Sequence, residues 1–251
     1  MTDILIYGDP HGRWEPLHAA IETRPRAVIV LGDLAEGRDP DGPPRARAAF
    51  DAVLASGLQL AFITGNHDAA SDDLWSVIED YDNHRIDGRV IEIDGLRIAG
   101  LGGVIRGRLW PGEGEPSYAT VAEWIARTPR QERWRGGIPK SHRTSILPWT
   151  VESLRNEKAD ILVTHEAPPP HAHGFQFLNS LAADMGARAI VHGHHHQTYS
   201  DVTEDGIRVQ GVGLARIWRL PDEFVGKVKT LRRLENEVED EGLALNRFRR
   251  F

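Results

Sequence analysis

Side chains that bind divalent cations occur in five short clusters along the 251-residue chain. In chain order, the clusters are Asp9 and His11, Asp33, Asn66 and His67, His165, and His194 and His196. Imidazole, carboxylate and amide groups suit cations such as Mn²⁺, Fe, Zn²⁺, Co²⁺ and Ni²⁺. A shared carboxylate can hold two such cations roughly 3.5–4 Å apart, the separation used for in-line displacement at phosphorus. The clusters contain enough ligands for two cations.

Each cluster follows a short apolar run, and this placement predicts where the clusters lie in the fold. The runs cover residues 4–7, 27–31, 58–63, 161–163 and 189–191. Continuous apolar runs of this length predict strands buried on both faces, as in a parallel sheet. Because ligands gather beyond the carboxyl ends of strands in open α/β sheets, we expect the five clusters to converge there.

The rest of the chain predicts a mixed α/β architecture. Helices are expected over residues 14–23, 45–55, 71–79, 117–127, 149–156 and 175–184. Two strand-like runs, 89–93 and 96–100, flank Asp94-Gly95, which is a strong signal for a tight hairpin. Further strands are expected over 199–202, 207–212 and 215–220. The mixed-charge tail 221–251 is predicted to be partly helical.

Composition excludes several classes of protein. The chain is 40% apolar and 27% charged, as in ordinary soluble domains, and it has no cysteine for disulfides or thiolate sites. A net charge of −7 argues against general nucleic-acid binding. Since neither a signal peptide nor an apolar run long enough to cross a bilayer is present, we expect a cytoplasmic protein without a membrane partner.

Residues 104–148 fit no simple period and are rich in tryptophan and arginine. A long loop segment of this kind is typical of a lid or binding wall. Tryptophans interleaved with arginines can stack on a base and pair with phosphate, although surface packing is the simpler alternative. Arg38 and Arg106 are candidate phosphate clamps, and Asn66 is a further candidate for substrate binding.

The clusters resemble, in order and type, the motifs of the metallophosphoesterase (calcineurin-like phosphoesterase) superfamily. The matching motifs are Gly8-Asp9-Pro10-His11, Gly32-Asp33, Gly65-Asn66-His67-Asp68, His165, and Gly193-His194-His195-His196. The resemblance covers residues 1–103 and 149–220. It implies one domain over 1–220, an α/β sandwich of two mixed β-sheets flanked by helices, with an insert at about 104–148.

The resemblance also implies a role for each residue. Asp9, His11 and His196 would hold one divalent cation, Asn66, His165 and His194 would hold a second, and Asp33 would bridge them. His67 would face the substrate and protonate the leaving oxygen, with Asp68 orienting its ring. A hydroxide bridging the two cations, most readily Mn²⁺, would attack phosphorus. Taken singly, Asp9, Asp33 and Asn66 would fit turn residues equally well.

The expected function is hydrolysis of a phosphate ester. Ser/Thr phosphatases of the superfamily carry GD-x-x-D-R-G and GNHE, whereas this chain has Gly32-Asp33-Leu34-Ala35-Glu36-Gly37 and Gly65-Asn66-His67-Asp68. Because the phosphate-binding arginine of that subgroup is missing, we favour a phosphodiester or nucleotide substrate over a phosphomonoester. An inactive metal-binding scaffold is an alternative of another class. Homo-oligomers through the insert or the tail are also compatible with the sequence.

Overall fold

Two mixed β-sheets form the centre of the fold. The computed structural model of the chain describes residues 3–37 and 39–224. Its strands are β1 Ile4–Gly8, β2 Ala27–Val30, β3 Gln59–Phe62, β4 Arg89–Ile93, β5 Leu96–Leu101, β6 Ile161–Thr164, β7 Ala189–His192, β8 Tyr199–Val202, β9 Arg208–Gly211 and β10 Arg216–Arg219. One sheet has the order β10-β1-β2-β3 and the other β4-β5-β6-β7-β9-β8.

Both sheets combine parallel and antiparallel pairs. Strands β1, β2 and β3 are parallel, and β10 pairs antiparallel with β1. In the second sheet β5, β6, β7 and β9 are parallel, while β4 and β8 pair antiparallel at the two edges. At the predicted hairpin between β4 and β5, Asp94 and Gly95 have φ values of 51° and 86°. Two consecutive positive φ values are what a tight two-residue hairpin turn requires.

Alternating side chains of the central strands enter two different cores. On β1, Ile4 and Ile6 pack between the sheets with residues of β6 and β7, whereas Leu5 and Tyr7 face the helices. This alternation explains why the central strands are continuous apolar runs, since both of their faces are buried. The prediction of buried strands is confirmed, and the fold is an α/β sandwich of two mixed sheets.

Helices cover the outer face of each sheet. They are α1 Glu15–Ile21, α2 Gly42–Ala55, α3 Asp72–Asp80, α4 Val121–Arg127, α5 Pro148–Arg155 and α6 Gln176–Met185. Helices α1–α3 pack on the four-stranded sheet, and α4–α6 contribute to the core on the six-stranded sheet.

Two helix boundaries differ from the predictions for identifiable reasons. Helix α2 begins at Gly42, because Pro43 and Pro44 occupy its first turn, where a missing N–H costs nothing. Helix α4 begins at Val121, since Thr120 caps it by accepting the Glu123 N–H at 3.1 Å. Residues 42–44, predicted to lie before the helix, are therefore helical, and residues 117–120, predicted to be helical, precede the helix.

The tryptophans of segment 104–148 are mainly packing residues. Trp110 and Trp124 are buried in the core shared with α5 and α6. Trp134 packs at right angles to Trp75 of α3, with ring centroids 6.1 Å apart. The hypothesis that these rings stack on a nucleobase is therefore wrong for Trp110 and Trp124. Burial of apolar surface accounts for their presence.

Some predictions fall outside the described residues, namely those for Arg38 and for residues 225–251 of the tail. At the start of the tail, Phe224 is buried and its carbonyl accepts a hydrogen bond from Arg188 at 2.9 Å. Within the described residues, no helix combines the length and apolarity that a bilayer crossing requires.

Candidate metal centre

The carboxyl ends of the two sheets meet, and the five clusters meet with them. Asp9, Asp33 and Asn66 follow strands of the four-stranded sheet, whereas His165 and His194 follow β6 and β7 of the other sheet. The His165 ring crosses between the sheets, and its Nδ1 lies 2.8 Å from the Leu31 carbonyl oxygen. The predicted convergence of the clusters is therefore present in the structure.

Asp33 lies at the centre of this convergence. Its Oδ2 atom is 3.4 Å from Nε2 of His11 and 3.4 Å from Nε2 of His165. Its Oδ1 atom accepts the His67 backbone N–H at 2.8 Å, which fixes the rotation of the carboxylate. One oxygen of Asp33 thus faces two imidazole nitrogens on opposite sides.

On one side of Asp33 lie His11 and His196, and the Asp9 carboxylate lies near Asp33 and His165. The Nε2 atoms of His11 and His196 are 3.1 Å apart. Asp9 is fully buried, and neither carboxylate oxygen has a hydrogen-bond partner among the described residues. Its Oδ1 lies 3.6 Å from Nδ1 of His165, which is an ion-pair distance but too long for a hydrogen bond. Because a buried carboxylate without hydrogen bonds is costly, the Asp9 oxygens are candidates to bind a further positive charge.

On the other side lie His165, Asn66 and His194. The Nε2 atom of His165 is 3.1 Å from Asn66 Oδ1, and the His165 and His194 ring centroids are 4.8 Å apart. Because the Leu31 carbonyl accepts from Nδ1–H, the lone pair of His165 lies on Nε2 when the ring is neutral. That lone pair faces Asp33 and Asn66.

The backbone at these residues adopts a conformation that non-glycine residues rarely occupy. Among the described residues, the non-glycine residues with positive φ include Asp9, His11, Asp33, His194 and His196. Such conformations cost of order 1–3 kcal/mol each and cluster at functional sites. Five ligand candidates therefore carry backbone strain that turns their side chains toward one point.

Two glycines leave room for the carboxylates. A Cβ on Gly193 would lie 2.5 Å from Asp9 Oδ1, and one on Gly65 would lie 2.2 Å from Asp33 Oδ1. Any side chain at either position would collide with a ligand candidate. Gly65 and Gly193 are thus required because the Asp33 and Asp9 carboxylates approach their backbone closely.

Charges within the cluster displace its pKa values in opposite directions. Burial lowers the pKa of His165, but the Asp33 carboxylate outweighs it and raises that pKa to about 10. The positive His165 in turn overcomes the burial of Asp33 and holds the Asp33 pKa well below its ordinary value. Burial raises the pKa of Asp9 to about 6, and burial together with the charge on His165 lowers the pKa of His194 to about 4. The centre thus contains two buried carboxylates balanced by protonated imidazoles.

Within residues 3–37 and 39–224, three groups of side chains bring their ligand atoms within 4.8 Å of one another, close enough to share a cation. They are His11, Asp33 and His67; Asp33, His165 and His194; and Glu166, His194 and His195. The first two groups share Asp33. The geometry supports metal binding at this edge of the sheets.

Comparison with known proteins agrees with this geometry. The sequence model of the calcineurin-like phosphoesterase family matches residues 2–198. The chain belongs to this family. It is therefore a hydrolase of phosphate esters, as the sequence predicts, and its family uses divalent cations.

Several proteins are similar to this phosphoesterase. An uncharacterised protein of Haemophilus influenzae is 38% identical over 215 residues, which cover 84% of this chain and 90% of that protein. A dimetal phosphatase from Danio rerio has a similar fold, with a TM-score of 0.56, 13% identity, and coverage of 85% of this chain and 88% of that one. The protein TT1561 of Thermus thermophilus gives a TM-score of 0.55, 17% identity, and coverage of 85% and 90%.

The phosphoesterase places Asp68 differently from the prediction. Its carboxylate accepts the backbone N–H groups of Asp33, Leu34 and Gly65 at 3.0, 2.8 and 2.7 Å. Both oxygens are therefore committed to the backbone, and the expectation that Asp68 orients the His67 ring is wrong. Asp68 instead joins the loops after β2 and β3. Its burial and the nearby Asp33 charge raise its pKa to about 7.

Sequence reasoning missed Glu36, which faces two site histidines. Its Oε1 lies 2.9 Å from His11 Nδ1, and its Oε2 lies 3.8 Å from His67 Nδ1. The position of Glu36, three residues after Asp33, was the available signal. It is the same position as the second aspartate of GD-x-x-D-R-G.

Of the two predicted phosphate clamps, Arg106 donates from Nε to Ser145 Oγ at 3.0 Å, and within the described residues its contacts lie in segment 104–148. Arg38 lies outside the described residues.

Proposed function

We propose that this phosphoesterase works through two divalent cations held on either side of Asp33. His11, His196 and Asp9 would hold one cation, and His165, Asn66 and His194 would hold the other. The observation that carries the proposal is the position of Asp33 Oδ2, 3.4 Å from an imidazole nitrogen of each set. A carboxylate oxygen placed between two ligand sets is what a bridging aspartate requires.

The residues present fit such a pair. Neither oxygen of buried Asp9 has a hydrogen-bond partner among the described residues, and the Nε2 atoms of His11 and His196 face each other at 3.1 Å. Nitrogen and oxygen donors without thiolates suit Mn²⁺, with Fe, Zn²⁺, Co²⁺ and Ni²⁺ as alternatives. When bound, two cations lower the pKa of water toward neutrality and offset the charge on phosphoryl oxygens.

His67 has the geometry of a proton donor to the leaving oxygen. Its backbone is tied to Asp33, and its ring packs edge-on to His11 with centroids 4.9 Å apart. Its side chain is 38% exposed, so a substrate can reach it. Glu36 faces Nδ1 of His67 and would stabilise the imidazolium, in which Nδ1 keeps its proton and Nε2 carries the proton that passes to the leaving oxygen.

We infer a preference for phosphodiesters or nucleotides, with phosphomonoesters as the second candidate. This preference follows from the missing arginine, and the structure adds a second observation in its support. A Cβ on Gly37, the position of the arginine in GD-x-x-D-R-G, would lie 2.4 Å from the Ala70 Cβ. An arginine at this position would displace Ala70, so the phosphate must be bound without it.

A substrate screen tests the proposal. Purified protein with Mn²⁺ is incubated with aryl phosphate monoesters, aryl diesters and nucleotides, alongside Asp33→Asn and a control, Asp41→Asn, at an exposed helix cap. We expect turnover in the native protein and in Asp41→Asn, and its loss in Asp33→Asn. If the native protein turns over none of these substrates, the scaffold alternative replaces our proposal. Greater turnover of monoesters than of diesters and nucleotides would reverse the inferred preference.

A further inference from the structure

Glu166 is a buried carboxylate beside the candidate centre for which the sequence assigned no role. Only 6% of its side chain is exposed. Its Oε1 accepts the Ile105 backbone N–H at 2.9 Å, and Thr164 Oγ1 donates to the Glu166 carbonyl at 2.6 Å. These bonds hold both the backbone and one carboxylate oxygen in place, so the direction of the second oxygen is fixed.

The second oxygen of Glu166 faces His194. Oε2 lies 3.8 Å from His194 Nε2, within ion-pair reach but beyond a direct hydrogen bond. A carboxylate beside one ring nitrogen favours the tautomer with its proton on that nitrogen. The lone pair of His194 is then on Nδ1. Carboxylates that face metal-binding histidines in this way fix the ring and increase its basicity.

We propose that Glu166 is the positioning residue for His194 and thereby sets the affinity of the second cation. The proposal rests on the proposed function, in which His194 holds that cation. Glu166 also joins segment 104–148 to the centre, because its other oxygen binds Ile105. A movement of Ile105 would therefore move the Glu166 carboxylate and change its contact with His194.

A different role for the same carboxylate is direct coordination. Glu166, His194 and His195 bring ligand atoms within 4.8 Å of one another, and His195 Nε2 is buried without a hydrogen-bond partner among the described residues. In that case Glu166 and His195 would hold a further cation together. We favour positioning, because the hydrogen bond from Ile105 already engages one oxygen and the other faces a histidine of the proposed pair.

Glu166→Gln tests the proposal with little change in shape. The amide oxygen of glutamine can still accept from Ile105, while its NH₂ group would donate to His194 Nε2 and shift the proton to Nδ1. Calorimetric titration of the metal-free protein with Mn²⁺ measures both binding steps. We expect the second dissociation constant to rise about 10–100-fold, with the first unchanged. Glu157→Gln, at an exposed carboxylate paired with Arg97, is the matched control and should change neither.

A second measurement covers the case in which Glu166→Gln lowers stability. Nitrogen NMR of the histidine rings in metal-free protein should show the Nε2–H tautomer of His194 in the native chain and its loss in Glu166→Gln. Native-like binding of both ions by Glu166→Gln would overturn the proposal. So would a third ion in the native protein that is lost in both Glu166→Gln and His195→Ala. If the native protein itself binds no pair of ions, the proposed function fails instead.

Discussion

The Nε2 atoms of His11 and His196 face each other at 3.1 Å, although the residues are 185 positions apart in the chain. Two neutral imidazoles gain nothing from opposed lone pairs, so this approach is favourable when a proton or a cation lies between them. Both residues also have positive φ, 44° and 56°, which adds backbone strain. The fold therefore accepts two costs to bring these nitrogens together, and the proposed cation explains both.

Metal binding should release protons. The pKa of His165 is raised to about 10 against the opposing effect of burial, so this ring carries a second proton at pH 7.5 in the metal-free protein. Against its own burial, the Asp33 carboxylate also raises the pKa of His11. A ligand must be neutral, so a cation that binds His165 displaces a proton. We expect at least about one proton to be released at pH 7.5, with Mn²⁺ affinity rising as pH rises from 6 to 8. Calorimetry in two buffers of different ionisation enthalpy measures this release.

The same pKa values set the direction of the stability change in metal-free protein. A histidine whose folded pKa lies above its unfolded value stabilises the fold fully below about pH 6.5, and this contribution disappears as pH rises toward 10. Metal affinity and metal-free stability should thus change in opposite directions between pH 7 and 9. Binding of Mn²⁺ with no proton uptake by the buffer would contradict this account.

Gly193→Ala should weaken the cation site that contains Asp9. The new Cβ would lie 2.5 Å from Asp9 Oδ1 and force the carboxylate away. We expect at least about a tenfold loss of affinity for one of the two ions. Gly206→Ala is the control for a glycine replaced without a collision, because no atom lies within 4 Å of its Cβ position, although its own φ is positive. It should cost about 1 kcal/mol of stability and leave metal binding intact. Equal metal binding by both variants would argue against Asp9 as a ligand.

His67→Ala should separate catalysis from metal binding. Loss of a general acid lowers turnover typically 10²–10⁴-fold, and substrates with poorer leaving groups should suffer more. Mn²⁺ stoichiometry, measured by elemental analysis after gel filtration, should equal that of the native protein. The loss of one ion would instead favour His67 as a ligand, as its grouping with His11 and Asp33 allows.

The strands and the ligand clusters were predictable from sequence because each depends on local pattern. A run such as 27–31 is apolar throughout since alternate residues enter different cores, and a polar residue at either face would be excluded. Asp33 follows this strand directly, so its position at the sheet edge also follows from the sequence. Five such coincidences at strand ends are enough to predict the convergence of the ligands.

The roles of Asp68 and Glu166 could not be predicted, because they depend on contacts between loops. For Glu36, the spacing from Asp33 was a signal, but the histidines that it faces depend on loop contacts as well. Asp68 follows the motif histidine in sequence, yet its oxygens bind backbone groups of two loops. Glu36 faces His11 only through the packing of loops after β1 and β2. Helix α4 was predicted, but its start was placed four residues early because the Thr120 cap was overlooked. The burial of Trp110 and Trp124 was not predictable, since burial is a property of the whole fold.

Arg143 should be a main source of stability for segment 104–148. Its guanidinium carbon lies over the rings of both Trp75 and Trp134, 4.5 and 4.6 Å from their centroids, and its Nη2 donates to the Ala69 carbonyl at 3.0 Å. Only 2% of its side chain is exposed. Two desolvated cation–π contacts and one charged hydrogen bond predict a loss of about 2–4 kcal/mol in Arg143→Ala. Arg143→Lys should recover part of this, because an ammonium keeps the positive charge near the rings but lacks the planar guanidinium surface and its additional N–H donors.

The free energy of unfolding in urea, measured without metal, checks this prediction. Arg135→Ala is the matched control: Arg135 also lies over Trp134, at 4.3 Å, but its side chain is 65% exposed and its ion pair is with Glu79 at the surface. Exposed contacts of this kind are worth about 0–1 kcal/mol. Since Ala69 is two residues after His67, Arg143→Ala should also lower turnover while leaving Mn²⁺ stoichiometry unchanged. Equal destabilisation by the two variants would mean that the burial of Arg143 against both rings adds no stability.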